Sequence, residues 1–324
     1  MAVRCTLPLE EKTKKKIALF TNVTVNDVLS CHDVKSIFQV PQILYDQGIL
    51  DSIVRKFGKV GMVNASANWD KWNTIAESMI NHEDQKVRIA MVGKYVTLSD
   101  SYVSVNHALK HAGAKLGKSV EIDWIDSESM PDYGILSKYD GILVPGGFGT
   151  RGSEGIINTA NYAREYNIPY LGICFGFQLA AIAYGRHVLN LEDANSTEIK
   201  ENAKNPVVDL LPEQKEVSDL GGSLRLGAND ILVKQDTIAH KIYNTDTISK
   251  RHRHRYEINK KYIPEFEKNG MFFSAESDSG KRMEMLEIPG HKFYLGVQFH
   301  PEFNSRPGFP EESFEAFIKA ASEN

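Results

Sequence analysis

Cysteine is scarce in this chain. Cys5, Cys31 and Cys174 are its three, odd in number, far apart and without a CxxC pair. That argues against a disulfide framework or a structural zinc site and for a reducing compartment, so no metal and a cytoplasmic location are expected. No apolar run approaches the roughly 20 residues that span a bilayer. The first ten residues carry neither an apolar signal core nor the Arg/Ser bias of a transit peptide, and no membrane partner is expected. Neither sign of charge dominates: 38 Lys and Arg stand against 42 Asp and Glu, a net charge of −4 that argues against a nucleic-acid surface. Internal repeats and low-complexity stretches are absent too. What is present is the composition of a globular chain, 42% hydrophobic and 25% charged, and 324 residues suffice for about two domains.

Three regions separate along the chain. In residues 1–57, Lys14-Lys15-Lys16 runs into Ile17-Ala18-Leu19-Phe20, which reads as a short buried strand. Ile43, Leu44, Leu50, Ile53 and Val54 follow at helical spacing. This is too little for an independent core, so the region reads as the end of something larger. In residues 58–85, Gly58, Gly61, Asn64, Ser66 and Asn68 predict a loop, and Trp69, Trp72, Ile75, Met79 and Ile80 a short amphipathic helix; the whole reads as a linker. Residues 86–324 alternate strand patterns (87–92, 119–125, 141–145, 170–173) with helical ones (101–116, 155–166, 177–184). That alternation predicts an α/β fold, a doubly wound, mostly parallel sheet with helices on both faces. Strand patterns at 223–226, 231–233, 272–275, 283–287 and 294–298 predict antiparallel additions.

The residues that carry chemistry lie in this third region. Gly172-Ile173-Cys174-Phe175-Gly176, between an apolar strand and a helix, has the pattern of a nucleophile elbow. Glycines permit a turn that a β-carbon would obstruct, the turn lifts the thiol to the carboxyl end of the sheet, and the next helix aims its positive end at the sulfur. A lone cysteine is commonly a core residue; the flanking glycines and the strand-to-helix junction favour the nucleophile. A thiol needs a base. Gly296-Val297-Gln298-Phe299-His300-Pro301-Glu302 offers His300 at a strand end, with Glu302 two residues on and so on the same face, placed to fix the tautomer. Alone, His300 would read as a structural histidine. Val144-Pro145-Gly146-Gly147-Phe148-Gly149 follows a strand end, and adjacent glycines can turn N–H groups toward one point, as an oxyanion hole requires. Taken alone it is an ordinary glycine-rich loop, and the phosphate-binding GxxxxGK[ST] is absent. Arg251-His252-Arg253-His254-Arg255-Tyr256-Glu257 is a dense basic cluster. An arginine gripping a carboxylate is the preferred reading; a solvated face or a nucleic-acid contact are the alternatives. Glu198, in Asn195-Ser196-Thr197-Glu198, could hold an ammonium group or simply be exposed.

Together these segments resemble the class I (triad) glutamine amidotransferases and, over the whole chain, the C-terminal part of the CTP synthase family. The elbow and His300-Pro301-Glu302 are shared by class I members. Asp193-Ala194-Asn195-Ser196-Thr197-Glu198, Gly221-Gly222-Ser223-Leu224-Arg225-Leu226-Gly227 and Arg251 through Glu257 match the narrower group. The resemblance implies Cys174 as nucleophile, His300 and Glu302 as its partners, and Gly147 as oxyanion donor. It implies that Phe175, Gly176, Phe177 and Gln178 line a glutamine pocket, with Glu198 on the substrate amine and Arg255 on its carboxylate. Positions 175 and 177 are both Phe where the family usually has Leu and Met, a difference of pocket shape more than of chemistry. Lys16-Ile17-Ala18-Leu19-Phe20 and His32-Asp33-Val34-Lys35-Ser36-Ile37 are similar to the end of the family's synthetase (amidoligase) domain. That implies Lys16 near the UTP or CTP site and His32, Asp33 and Val34 near ATP. Most of that domain, its phosphate-binding loop included, has no counterpart here. The chain is therefore expected to be a C-terminal fragment with glutaminase activity only and no cofactor of its own. For the full-length enzyme the resemblance implies ATP with Mg, tunnelled ammonia turning UTP into CTP, GTP as allosteric activator and a tetramer. Three rivals are weighed: a hydrolase of γ-glutamyl amides, an inactive regulatory module and a nucleic-acid module. Residues 1–57, the complete triad and the net charge argue against them in turn.

Overall fold

The computed structural model describes residues 1–58, 69–80, 85–96, 100–210 and 224–323. The chain divides into two units, Met1–Glu83 and Asp84–Asn324.

In the first unit, strands β1 (Ala2–Cys5) and β2 (Leu29–His32) pair in parallel. Residues 17–20, expected as a buried strand, instead form the last turns of helix α1 (Glu11–Thr21), where Leu19 and Phe20 are 80% and 78% exposed and only Ala18 is buried. The reason is local. Glu and Lys at 11, 12 and 14–16 are strong helix formers, and a four-residue apolar run does not itself distinguish helix from strand. The helix stops at Asn22, which takes the left-handed conformation of a C-terminal cap. The helical spacing over 40–57 is borne out as α2 (Val40–Asp46) and α3 (Ile49–Phe57), separated by Gly48 at φ +80°. The helix expected within a linker is α4 (Trp69–Ser78). It belongs to this unit: Trp72 donates to the Phe38 carbonyl at 3.1 Å, and the Tyr45 and Trp69 rings lie 4.5 Å apart. The loop predicted from Gly58 onward, with Gly61, Asn64, Ser66 and Asn68, falls outside the described residues after Gly58 itself.

The second unit opens with β3 (Lys86–Gly93), α5 (Val103–Lys115), β4 (Ser119–Asp126), β5 (Gly141–Val144), α6 (Ser153–Glu165), β6 (Tyr170–Ile173) and α7 (Phe175–His187). It continues with β7 (Ala194–Ser196), β8 (Asn205–Leu210), β9 (Arg225–Val233), α8 (Ile238–Tyr243), β10 (Thr247–His254), β11 (Tyr256–Ile258) and α9 (Ile263–Lys268). It closes with β12 (Phe272–Ser277), β13 (Arg282–Glu287), β14 (Tyr294–Val297) and α10 (Glu312–Ala321). Nine strands form one sheet in the order β10-β9-β12-β13-β14-β6-β5-β3-β4. The run β4-β3-β5-β6-β14 is parallel, the other pairs antiparallel. Numbered along the chain, the parallel strands lie 2-1-3-4-5, the flavodoxin-like order. A small sheet, β11-β8-β7, stands apart.

The inner parallel strands β5, β6 and β14 read as short, mostly apolar, fully buried runs because both their faces are covered, whereas β4, at the edge, alternates. Along β5, Ile142 and Val144 enter a core with Ile156, Ala160 and Ala180 of α6 and α7, while Leu143 enters the opposite core with Leu109 of α5 and Phe314 and Phe317 of α10. Two expectations are corrected. The patterns at 223–226 and 231–233 belong to one strand, β9, from Arg225 on, with residues 221–223 outside the described set. The first four residues of the basic cluster, 251–254, close strand β10, hidden from an apolar-periodicity reading because that strand's inward residues include Lys250, His252 and His254, and Tyr256 and Glu257 open β11.

Candidate active site

β6 ends at Ile173 and α7 starts at Phe175, two residues earlier than the sequence pattern suggested, so the whole turn is made at Cys174. Cys174 has φ 52° and ψ −95°, an unfavourable left-handed backbone for a residue with a β-carbon. Such conformations cost about 1–3 kcal/mol and persist where the surroundings enforce them. The enforcement is visible. The Cys174 N–H donates to the Val297 carbonyl of β14 at 2.7 Å. A β-carbon on Gly172 would lie 2.7 Å from the Gly176 carbonyl carbon, and one on Gly176 would lie 2.5 Å from the Val144 carbonyl oxygen. The thiol, 5% exposed, sits at the amino end of α7.

His300 lies beyond β14 and opens a 3₁₀ turn, Pro301–Asn304. Its N–H donates to the Arg251 carbonyl at 2.8 Å, and its Nδ1 is 2.8 Å from Glu302 Oε1. The expected contact forms, but through the turn and not through strand alternation. Burial alone would push the His300 imidazole down; hydrogen bonds to Cys174 and Glu302 and their charges override it and raise it to about 10. Gly146 makes room for this ring: a β-carbon there would lie 2.8 Å from His300 Cε1. Gly147, by contrast, has only an ordinary 3.5 Å approach to Phe175.

A cavity of about 280 Å³ gathers Gly147, Cys174, Gln178, Glu198 and Arg255, with Tyr256 and His254. Of the stretch 175–178, only Gln178 lines it. Phe175 and Phe177 are core side chains, and Gly176 is pressed against Val144, so Gln178 supplies the lining side chain of the stretch. The cause is that α7 is buried on all sides, which leaves one side chain of its first turn facing the cavity. Glu198 accepts from the Gly149 N–H at 2.8 Å. Burial raises its carboxyl, while that hydrogen bond, Lys94 and Arg255 draw it back down. A second cavity, of about 570 Å³, reaches His300 and Glu302 from the side of Arg251, Arg253, Leu226 and Phe303.

Two residues that the sequence reading passed over touch this machinery. Gln298 donates to Cys174 Sγ at 3.7 Å and accepts from Gln178 Nε2 at 3.0 Å. Lys94, at the end of β3, donates to the Phe148 and Gly149 carbonyls. Burial, chiefly, pushes its ammonium down to about 8, with Glu198 opposing and Arg151 adding to the shift. The available signal was a lysine directly after a buried strand.

The basic cluster is not a solvated face. Along β10 burial alternates, with Arg251 and Arg253 outward and His252 and His254 inward. His252 Nε2 lies 2.8 Å from Glu284 Oε2, and Arg225 donates to Glu284 Oε1 at 2.5 Å. Burial pushes the Glu257 carboxyl up to about 8, with help from Glu284. In the first unit, Lys16 is exposed on α1, His32 Nδ1 lies 3.3 Å from Ser30 Oγ, Asp33 is ion-paired with Arg4, and Val34 is half-buried. Among the described residues no three His, Cys, Asp or Glu side chains gather to hold a metal, and no helix is long and apolar enough to cross a membrane.

Residues 97–320 match the family model described as glutamine amidotransferase class-I, and residues 1–59 match the one described as CTP synthase N-terminus. The chain is 46% identical over 319 residues to a CTP synthase of Archaeoglobus fulgidus, covering 98% of this chain and 59% of that protein. It is 45% identical over 324 residues to a CTP synthase of Staphylococcus saprophyticus, covering 99% and 60%. It therefore spans less than two thirds of the length of these curated relatives. Among solved structures, a Trypanosoma brucei CTPS glutaminase domain with bound acivicin superposes with a TM-score of 0.69 at 38% identity, covering 74% of this chain and 94% of that one.

Proposed function

We propose, since this chain belongs to the class I glutamine amidotransferase family, that it hydrolyses L-glutamine to glutamate and ammonia through a thioester on Cys174. The observation that carries the reading is the strained elbow cysteine at a cavity that also holds Glu198 and Arg255, with His300 held by Glu302 at 2.8 Å. Glu198 receives the substrate's α-ammonium and Arg255 its α-carboxylate, which points the side-chain amide at Sγ. His300, raised by Cys174 and Glu302 beside it, already holds the proton, and Cys174 attacks the amide carbon as the thiolate. The oxyanion faces the N–H of Gly147 and that of Phe175, a first-turn N–H with no acceptor inside its own helix. His300 then protonates the leaving nitrogen, the C–N bond breaks and ammonia departs. Water gives a proton to His300 and attacks the thioester; the C–S bond breaks, the thiolate beside the protonated ring is restored, and glutamate leaves. Glu302 keeps the proton on Nδ1 throughout.

In the whole enzyme, the ammonia released here aminates UTP to CTP with ATP, in pyrimidine nucleotide synthesis. The similarity of residues 1–59 to the CTP synthase N-terminus supports this. GTP activation, a tetramer and a cytoplasmic location complete the proposal. Lys16 lies exposed on α1, and Asp33 is ion-paired with Arg4. Cys174→Ala tests the core of the proposal: both ammonia release and covalent labelling by a glutamine-like electrophile should be lost. Ammonia release that survives the substitution would overturn it.

A further inference from the structure

Lys94 is 5% exposed, unusual for a lysine. Its Nζ donates to the Phe148 carbonyl at 2.8 Å and to the Gly149 carbonyl at 2.5 Å, and lies 4.1 Å from the centre of the Phe175 ring. Its own carbonyl accepts from Arg151 Nη2 at 2.9 Å. Hydrolysis through a thioester uses none of these contacts directly. What they do is orient a peptide. A peptide group is planar and trans, so a carbonyl and the N–H that follows it point to opposite sides. With the Phe148 carbonyl drawn to Lys94, the Gly149 N–H must face away, and there it donates to Glu198 Oε1 at 2.8 Å. Gly149 sits at φ +76°, and among the described residues no atom lies within 4 Å of its Cβ position. A buried ammonium on two carbonyls is the strong restraint present.

We propose that Lys94 is a positioning residue: through the 148–149 peptide it fixes the Glu198 carboxylate and so sets the preference for substrates that carry an α-ammonium group. Lys94 acts through Glu198 and the loop and does not touch the reacting atoms. The proposal rests on the glutamine-hydrolysis reading and deepens it at the same site.

The test compares two substrates on the full chain, L-glutamine and its desamino analogue 5-amino-5-oxopentanoate, which gives Glu198 nothing to hold. Lys94→Met should cut the kcat/KM ratio between them by at least about tenfold, chiefly through the KM for glutamine, as loss of a charge-assisted contact does. Glu198→Gln should give the same signature, and the double variant little more. If Lys94→Met lowers both substrates by one common factor, or neither, the proposal is overturned, because a merely structural lysine would do the former. Hydrogen exchange supplies a readout independent of turnover. The Gly149 amide should be protected in the unsubstituted chain and lose that protection in Lys94→Met; an amide that exchanges freely in the unsubstituted chain overturns the proposal even if the variant does not fold. Absence of ammonia release from the unsubstituted chain, with the Gly149 amide protected and responsive to Lys94, would instead fail the glutamine reading and leave the positioning link standing.

Discussion

His300 Nδ1 lies 2.8 Å from Glu302 Oε1, and this one contact decides that the other ring nitrogen is presented to Cys174. Glu302→Gln keeps a side chain of the same shape but can offer the ring a donor where an acceptor is needed. Turnover should fall by at least about tenfold and no more than the ~10⁴-fold of a triad whose tautomer is wrong. Steady-state kcat measures it, and an unchanged kcat would remove Glu302 from the mechanism.

The same contact gives a pH dependence with a definite sign. The folded His300 is raised from 6.5 to about 10, so the protonated ring's contribution to stability is complete below about 6.5 and is lost as pH rises through about 10. Lys94 works the other way: its folded ammonium is held at about 8 against 10.5, so its burial penalty is relieved as pH rises above about 8. The difference between the unsubstituted chain and Glu302→Gln isolates His300. That difference, from urea midpoints, should shrink steadily between pH 7 and 10 as the charged ring is lost; a flat difference would count against the raised imidazole.

Three glycines should respond differently to one added methyl group. At Gly172 and Gly176 the new β-carbon meets backbone at 2.7 and 2.5 Å, which cannot yield, whereas at Gly147 it meets a ring edge at 3.5 Å. Gly172→Ala and Gly176→Ala should each destabilise by at least about 1–3 kcal/mol and remove ammonia release. Gly147→Ala should fold normally. Thermal unfolding distinguishes the cases, and equal Tm losses at all three would contradict the geometry.

Glu284 is fully buried between Arg225, His252 and Ser277, and although burial opposes it, His252, Arg225 and Ser277 hold its carboxyl down at about 2. Glu284→Ala strands a buried guanidinium and imidazole, a change that costs about 3–5 kcal/mol. Because β10 leads directly into Arg255, the KM for glutamine should rise in whatever fraction stays folded. A loss of stability below 1 kcal/mol would show that the network is dispensable.

Much of the site was legible in the sequence because its signals are short-range. Gly172 and Gly176 are needed for a turn only five residues long, and His300 and Glu302 are close enough that any tight path brings them together. The alternation of apolar runs with helical spacing predicts the parallel sheet for a similar reason, since the helix that follows a strand in sequence covers one of its faces. Where a pattern was ambiguous over four residues, as at Ile17-Ala18-Leu19-Phe20, the flanking lysines decided for helix.

The sequence by itself determined that Cys174 sits on an elbow with a base and a carboxylate available to it, because backbone sterics and residue chemistry are written locally. Tertiary structure alone decided which other side chains reach it. Lys94, 80 residues before Cys174, and Gln298, 124 after it, arrive only because β3 and β14 end at the same edge of the sheet as β6. It alone decided, too, that the basic cluster is half core. A strand of alternating arginine and histidine looks solvated until Glu284 and Glu257 are brought beneath it, and burial then requires each charge to find a partner.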